Sequence, residues 1–294
     1  MCDKEFENFV NKTILEVKKL YVKDITEEQF LDNYELSLKT RNEFLDALQS
    51  FSSKNLGGNL AFSFEKMYNE LYNALNFIPE NEQIHPFDLD LFGLFIEELF
   101  ICTIAYLLKQ EMFQDINNIL TYKYKLNPPH YGVGEKICST YESFRFPSKM
   151  LERINRPKDS HNVKFSLKGD LICKKREYIP IFTGSLIANA ELFLYQAYKG
   201  LRFNDIKVEV PNNIVWFTEF YIYASPKDSI WNKLNSKQFC CKLFPLFNVK
   251  SMKELKERIS LCTPEYIEEY HLRTGKVPPV PTDYVKLDDI GTLS

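Results

Sequence analysis

The chain has 294 residues, 45% of them hydrophobic and 15% aromatic, enough apolar mass for a packed core; wholesale disorder is excluded. Its 37 Lys and Arg against 40 Asp and Glu give a formal charge of −3, which excludes a globally basic nucleic-acid protein. Seven cysteines are too few for a disulfide scaffold, and ten glycines leave little room for glycine-rich phosphate loops.

The N-terminus, Met1-Cys2-Asp3-Lys4-Glu5, is charged from its third residue and has no apolar core of signal-peptide type. Phe6, Phe9, Val10, Ile14, Val17 and Leu20 recur every three or four residues and predict a helix over 3–20. Thr26 followed by Gln29 is a capping box, which starts a second helix reaching Ser52 with a break near Leu38–Thr40. Residues 54–59 read as a turn, and Phe64, Met67, Tyr68, Leu71, Tyr72 and Leu75 line a third helix over 60–77. Asp88 is placed to cap the next helix, 89–110, which is apolar almost all round and is therefore expected at the centre of the fold. This helix is also the longest candidate membrane span. Glu97 and Glu98 sit near its middle, and each charge at mid-bilayer costs roughly 2.5–3.5 kcal/mol, so it reads as a buried helix of a soluble protein. Of these two acids, one is expected to face solvent and the other to pair with a basic residue.

Residues 112–121 form a helix that either continues the central one or folds back on it. Asn127-Pro128-Pro129 closes this region, so a boundary is drawn between an N-terminal helical domain, 1–127, and a C-terminal mainly helical domain, 128–294. Short helices are expected over 135–153 and 166–176, and a longer one over 185–198. Residues 206–223 are β-branched and aromatic and read as a small β element, or as an aromatic helix from Trp216 on. Helices follow at 236–244 and 251–261, the second opened by Ser251 and Glu254 as a capping box. A last helix spans 264–274, and a proline-rich extended tail, 276–294, lies on the surface.

Charge is unevenly spread. Arg145, Lys149, Arg153, Arg156, Lys158, Lys164, Lys168, Lys174, Lys175 and Arg176 stand against only three acids in 145–176, whereas residues 61–100 hold eight acids and one lysine. Such a basic segment suits a phosphate backbone, and it equally suits the acidic face of the same chain. Arg156 and His161 have the Arg-x4-His spacing of HEPN ribonucleases, and the resemblance implies an RNA-cleaving pair with the histidine as acid–base group. Pro157 departs from the helical setting which that signature has in the family. His85, His130, His161 and His271 lack metal-ligand spacing, and no P-loop, GxSxG or CxxC occurs, so neither a metal nor another cofactor is expected. The cysteines, with Cys240 and Cys241 adjacent, read as reduced thiols of a cytoplasmic protein.

The run Phe87-Asp88-Leu89-Asp90-Leu91-Phe92, then Glu98-Leu99-Phe100 and Phe113, with Trp216, Phe239, Leu243–Phe247 and Lys253–Lys256, resembles helical regions of bacterial conflict and anti-phage proteins. The resemblance spans residues 60–260 and implies an accessory, sensing or partner-binding module. The sequence therefore predicts a mainly α-helical bundle around a central buried helix, with a small β element in its C-terminal half. The expected role is non-catalytic, with a protein partner or a second copy bound and no membrane. The alternative is a nucleic-acid binder or ribonuclease that uses residues 145–176.

Overall fold

A computed structural model describes residues 3–51, 56–72, 85, 87–127, 137–156, 164–175, 183–201, 218–223, 229–263 and 277–293. The described chain is a multi-helix bundle with one small antiparallel sheet. Helix α1 is Asp3–Lys18, α2 Glu27–Ser50, α3 Leu56–Met67, α4 Asp90–Lys109 and α5 Phe113–Thr121. Strands β1, Tyr124–Leu126, and β2, Ile137–Ser139, follow, then α6, Lys149–Ile154, α7, Leu167–Lys175, and α8, Gly184–Lys199. The rest comprises α9, Phe220–Tyr223, α10, Lys237–Phe247, α11, Met252–Ser260, and α12, Pro281–Tyr284.

Helix α4 is the centre, as its apolar girth requires. Helices α2, α3, α5 and α8 all pack on it. It is the one helix among the described residues long and apolar enough to cross a membrane, and 94% of its apolar window is buried within the fold. One hydrophobic cluster runs from Phe6 and Val10 through Phe92, Phe100 and Ile104 to Leu194, Trp231 and Leu243, so elements on both sides of residue 127 share it.

Several local expectations need correction. Helix α2 has no break at Leu38–Thr40; its capping box is present, with Thr26 accepting from the Gln29 N–H and Gln29 returning a bond to the Thr26 N–H. Helix α3 begins at Leu56, inside the expected turn, because the Asp115 carboxylate accepts the Gly57 N–H at 2.8 Å. Asp88 does not cap α4; its carboxylate accepts the N–H groups of His85, at 3.1 Å, and Ile25. Glu111 adopts φ 53°, a left-handed residue that folds α5 back against α4 and settles that alternative. The expected helix over 135–153 gives way to a strand, a 3₁₀ turn over Tyr141–Phe144, and α6.

In the sheet, Tyr124 lies opposite Ser139 and Leu126 opposite Ile137. The strand pair thus stands earlier in the chain than the expected β element. Of that stretch, 206–217 lies outside the described residues, and Phe220–Tyr223 is a helical turn. The expected helix over 264–274 is also outside them. The C-terminal segment is not extended throughout. It contains α12 and a 3₁₀ turn, and buries Val280 and Ile290. Asn235 accepts the Leu293 N–H at 2.9 Å and Leu293 accepts that of Lys237 at 2.8 Å, which lays the segment's end along the start of α10.

Gly93 on α4 permits a close approach on which the site depends. A Cβ there would stand 2.8 Å from the Phe146 ring. Alanine in a helix is otherwise better than glycine by about 1 kcal/mol, so the sign of the change is diagnostic. Gly93→Ala is expected to destabilise the protein by about 1–3 kcal/mol in urea denaturation. A stabilised variant would mean that the Phe146 segment does not press on α4.

Candidate functional site

Two adjacent residues of an α-helix point about 100° apart. Glu97 and Glu98 therefore face different neighbours, and both side chains are 2% exposed. The expectation that one faces solvent is overturned: both are buried, and both are paired. Glu98 meets Arg41 of α2, whose side chain is fully buried, and the Tyr34 hydroxyl donates to it at 3.4 Å. Burial, reinforced by the Glu98 charge, holds the Tyr34 phenol well above its ordinary value.

Glu97 faces the other way. Its Oε2 accepts the Phe146 N–H at 3.1 Å, and both its oxygens accept from Lys168 Nζ of α7, at 2.9 and 2.8 Å. Arg145 Nη1 is 3.5 Å from it. Lys168 also reaches Glu219 Oε2 at 2.7 Å and the Phe146 carbonyl at 3.2 Å. Arg145 Nη1 is 3.3 Å from the same Glu219 oxygen, and the Ser166 hydroxyl donates to the other at 3.1 Å. The result is a largely buried four-charge cluster, Glu97–Lys168–Glu219–Arg145, tying α4 to α7 and to the segment before α9.

A fifth group sets the position of Glu219. Glu191 of α8 accepts the N–H groups of Glu219, Phe220 and Tyr221 at 2.7, 2.8 and 3.1 Å. Gly169 packs against the Glu219 carbonyl, where a Cβ would come within 2.5 Å. Burial works against the Glu219 carboxylate, but Lys168 and Arg145 outweigh it and bring its pKa down to about 2. Burial, then the neighbouring Glu219 charge, pushes Glu191 up to about 8 against the pull of the backbone donors and Arg145. Asp90, at the start of α4, is pushed by burial to about 6, although it accepts the Met150 N–H at 2.7 Å and the Ser148 hydroxyl at 3.1 Å. Those two bonds fix the N-terminus of α6.

Between α6, α7 and the cluster lies a cleft of about 360 Å³, lined among others by Arg145, Ser148, Glu152, Asn155, Ser166, Lys168 and Glu219. Asn155 ties its rim: its amide donates to the Lys164 carbonyl at 2.7 Å and accepts the Lys164 N–H at 3.1 Å. Arg145 lines this cleft, and its Nε is buried with no hydrogen-bond partner among the described residues. Leaving such a donor unmet costs about 1–3 kcal/mol.

The basic segment is dispersed by this geometry. Arg145 and Lys168 are held within the cluster. Arg153 pairs with Glu27 at 3.1 Å, Lys174 with Asp170 at 2.9 Å, Lys164 with Asp170, and Lys175 with Glu35. Lys149 and Arg156 are exposed. Lys158, His161 and Arg176 lie outside the described residues, so the Arg156–His161 pair is not placed. His85 is 57% exposed with Nε2 3.3 Å from Asp24; the other three histidines lie outside the described residues. Among the described residues no group of His, Cys, Asp or Glu is arranged to hold a metal ion, and every cysteine there is free.

Sequence reading missed Arg41, Glu191 and Glu219. Arg41 carries a usable signal, since it continues the buried stripe Phe30, Tyr34, Leu38, Leu45 and Leu48 of α2. Glu191 likewise lies on the buried side of α8 with Ile187 and Leu194. Glu219 carries none, because its partners come from distant parts of the chain. No family model, curated protein or solved structure matches the chain.

The raised pKa values of Asp90, Glu142 and Glu191 predict a stability that falls with rising pH. The folded state retains protons on Asp90, Glu142 and Glu191 up to about 6, 7 and 8, whereas the unfolded chain releases them near 3.8 and 4.5. Glu219 acts in the opposite sense, and its contribution is lost as pH falls from 4.5 toward about 2. Urea denaturation is expected to show stability declining from about pH 5 to about pH 8, at up to roughly 1.4 kcal/mol per pH unit per group. Glu191→Gln should flatten the upper part of that decline; an unchanged profile would mean that Glu191 is ionised throughout.

Proposed function

We propose that this chain is a non-catalytic accessory or sensing protein of a bacterial anti-phage system, acting in the cytoplasm through binding. The observation that carries the reading is the cleft with an ionic floor. Lys168 and Glu219 neutralise each other there and are held by four separate parts of the chain, so the charged groups are fixed in place. Polar groups locked on rigid helices at the base of a concavity favour recognition over proton transfer. The bacterial defence setting rests on the resemblance of residues 60–260 to accessory regions of such proteins, and it includes a protein partner or a second copy of this chain.

The nucleic-acid alternative is the weaker one. Six of the ten cations that motivate it (Arg145, Arg153, Lys164, Lys168, Lys174 and Lys175) are engaged by acids of this chain. A phosphate backbone would have to displace those partners.

Two measurements test the reading. In a bacterial host carrying the chain with its neighbouring genes, deleting this chain alone should raise phage plaque counts, and restoring it as Arg156→Ala or His161→Ala should reinstate protection. The purified chain should neither cleave RNA or DNA nor bind them with a steep salt dependence. Protection indifferent to the deletion, or cleavage abolished by those substitutions, would overturn it.

A further inference from the structure

We propose that the cleft between α6 and α7 is an oxyanion site, in which a carboxylate or phosphate group of a small molecule seats on the Nε–Nη2 edge of Arg145. The inference rests on reading the cleft as a binding site and names what it binds. A guanidinium presents five N–H donors in a planar fork, and its Nε–Nη2 edge matches two oxygens of a carboxylate or phosphate. In Arg145 the contacts with Glu97 and Glu219 both fall on Nη1, at 3.5 and 3.3 Å. Nε is buried and has no partner among the described residues.

The other side-chain donors around the cleft are already engaged. Lys168 Nζ has oxygens of Glu97, Glu219 and Phe146 within 3.2 Å. Ser166 donates to Glu219 and accepts the Gly169 N–H; Ser148 donates to Asp90 and accepts the Leu151 N–H. Asn155 is occupied by the Lys164 backbone. An incoming ligand therefore finds one cationic donor, Arg145 Nε, unmet among the described residues, and its residue is held in place because the Arg145 N–H bonds to the Glu142 carbonyl at 3.1 Å while the next N–H, of Phe146, bonds to Glu97. The cleft, at about 360 Å³, accommodates a small metabolite. Exposed Glu152 on its lining opposes an anion and tunes the affinity.

The experiment is calorimetric titration of the full chain with inorganic phosphate and, separately, with acetate, at constant ionic strength set by chloride. At least one of the two is expected to bind; which one does tells a phosphate ligand from a carboxylate ligand. Arg145→Lys keeps the charge facing Glu97 and Glu219 but removes the edge, and should weaken binding about tenfold. Glu152→Gln, at an exposed position that leaves the fold intact, should tighten binding by about threefold through loss of a repelling charge. Absence of binding by both anions, or binding that neither substitution alters, would overturn the proposal. The plaque assay is independent of it: loss of protection on deletion with no anion binding defeats the oxyanion site alone, and anion binding with protection indifferent to the deletion defeats the defence role alone.

Discussion

Two carboxylates on neighbouring positions of an apolar helix constrain everything packed around it. An unpaired buried charge is penalised by several kcal/mol, so each acid must find a cation that can be buried with it. Their angular separation sends them to different partners: Glu98 to Arg41 of α2, Glu97 to Lys168 of α7 and to Arg145. A helix that could otherwise rotate or slide among its greasy neighbours is thereby fixed in register. Buried pairs of this kind contribute little net stability relative to apolar side chains of the same volume. What they supply here, on this account, is a single arrangement of the helices.

That arrangement also produces the cleft. The Phe146 segment can reach Glu97 because Gly93, one turn earlier on the same helix, leaves space for its ring. Lys168, drawn inward by Glu97, brings Glu219 with it, and Glu191 anchors Glu219 from α8. Asp90, at the other end of the same stretch of α4, holds the start of α6. The walls and floor of one concavity thus derive from two acids, Asp90 and Glu97, about two turns apart on α4. Function, on this reading, is a by-product of how the core satisfies its charges: Arg145 Nε, a cationic donor left unmet among the described residues, is the one offered to a ligand.

Much of the fold was legible in the sequence because it depends on local periodicity. The central helix, the Thr26 capping box and the spans of α1, α8 and α11 follow from apolar spacing and cap residues. The errors share one cause. Asp88 looks like a helix cap and instead binds backbone from the α1–α2 connection. Residues 137–139 sit in a helix-like context, yet pair with β1. Each error is a long-range interaction overriding a local one. The site follows the same rule, since Arg145 and Lys168 stood out by charge and Glu191 lies on the buried side of α8, while Glu219 carries no local signal.

The central claim is that Glu97 and Lys168 act as one unit linking α4 to α7. A double-mutant cycle with Glu97→Gln, Lys168→Met and both together, read by urea denaturation at neutral pH, tests it most directly. Each single substitution should destabilise by about 3–5 kcal/mol, and the double should recover enough to give a coupling of about 2 kcal/mol or more. Additive losses, with a coupling near zero, would contradict the account.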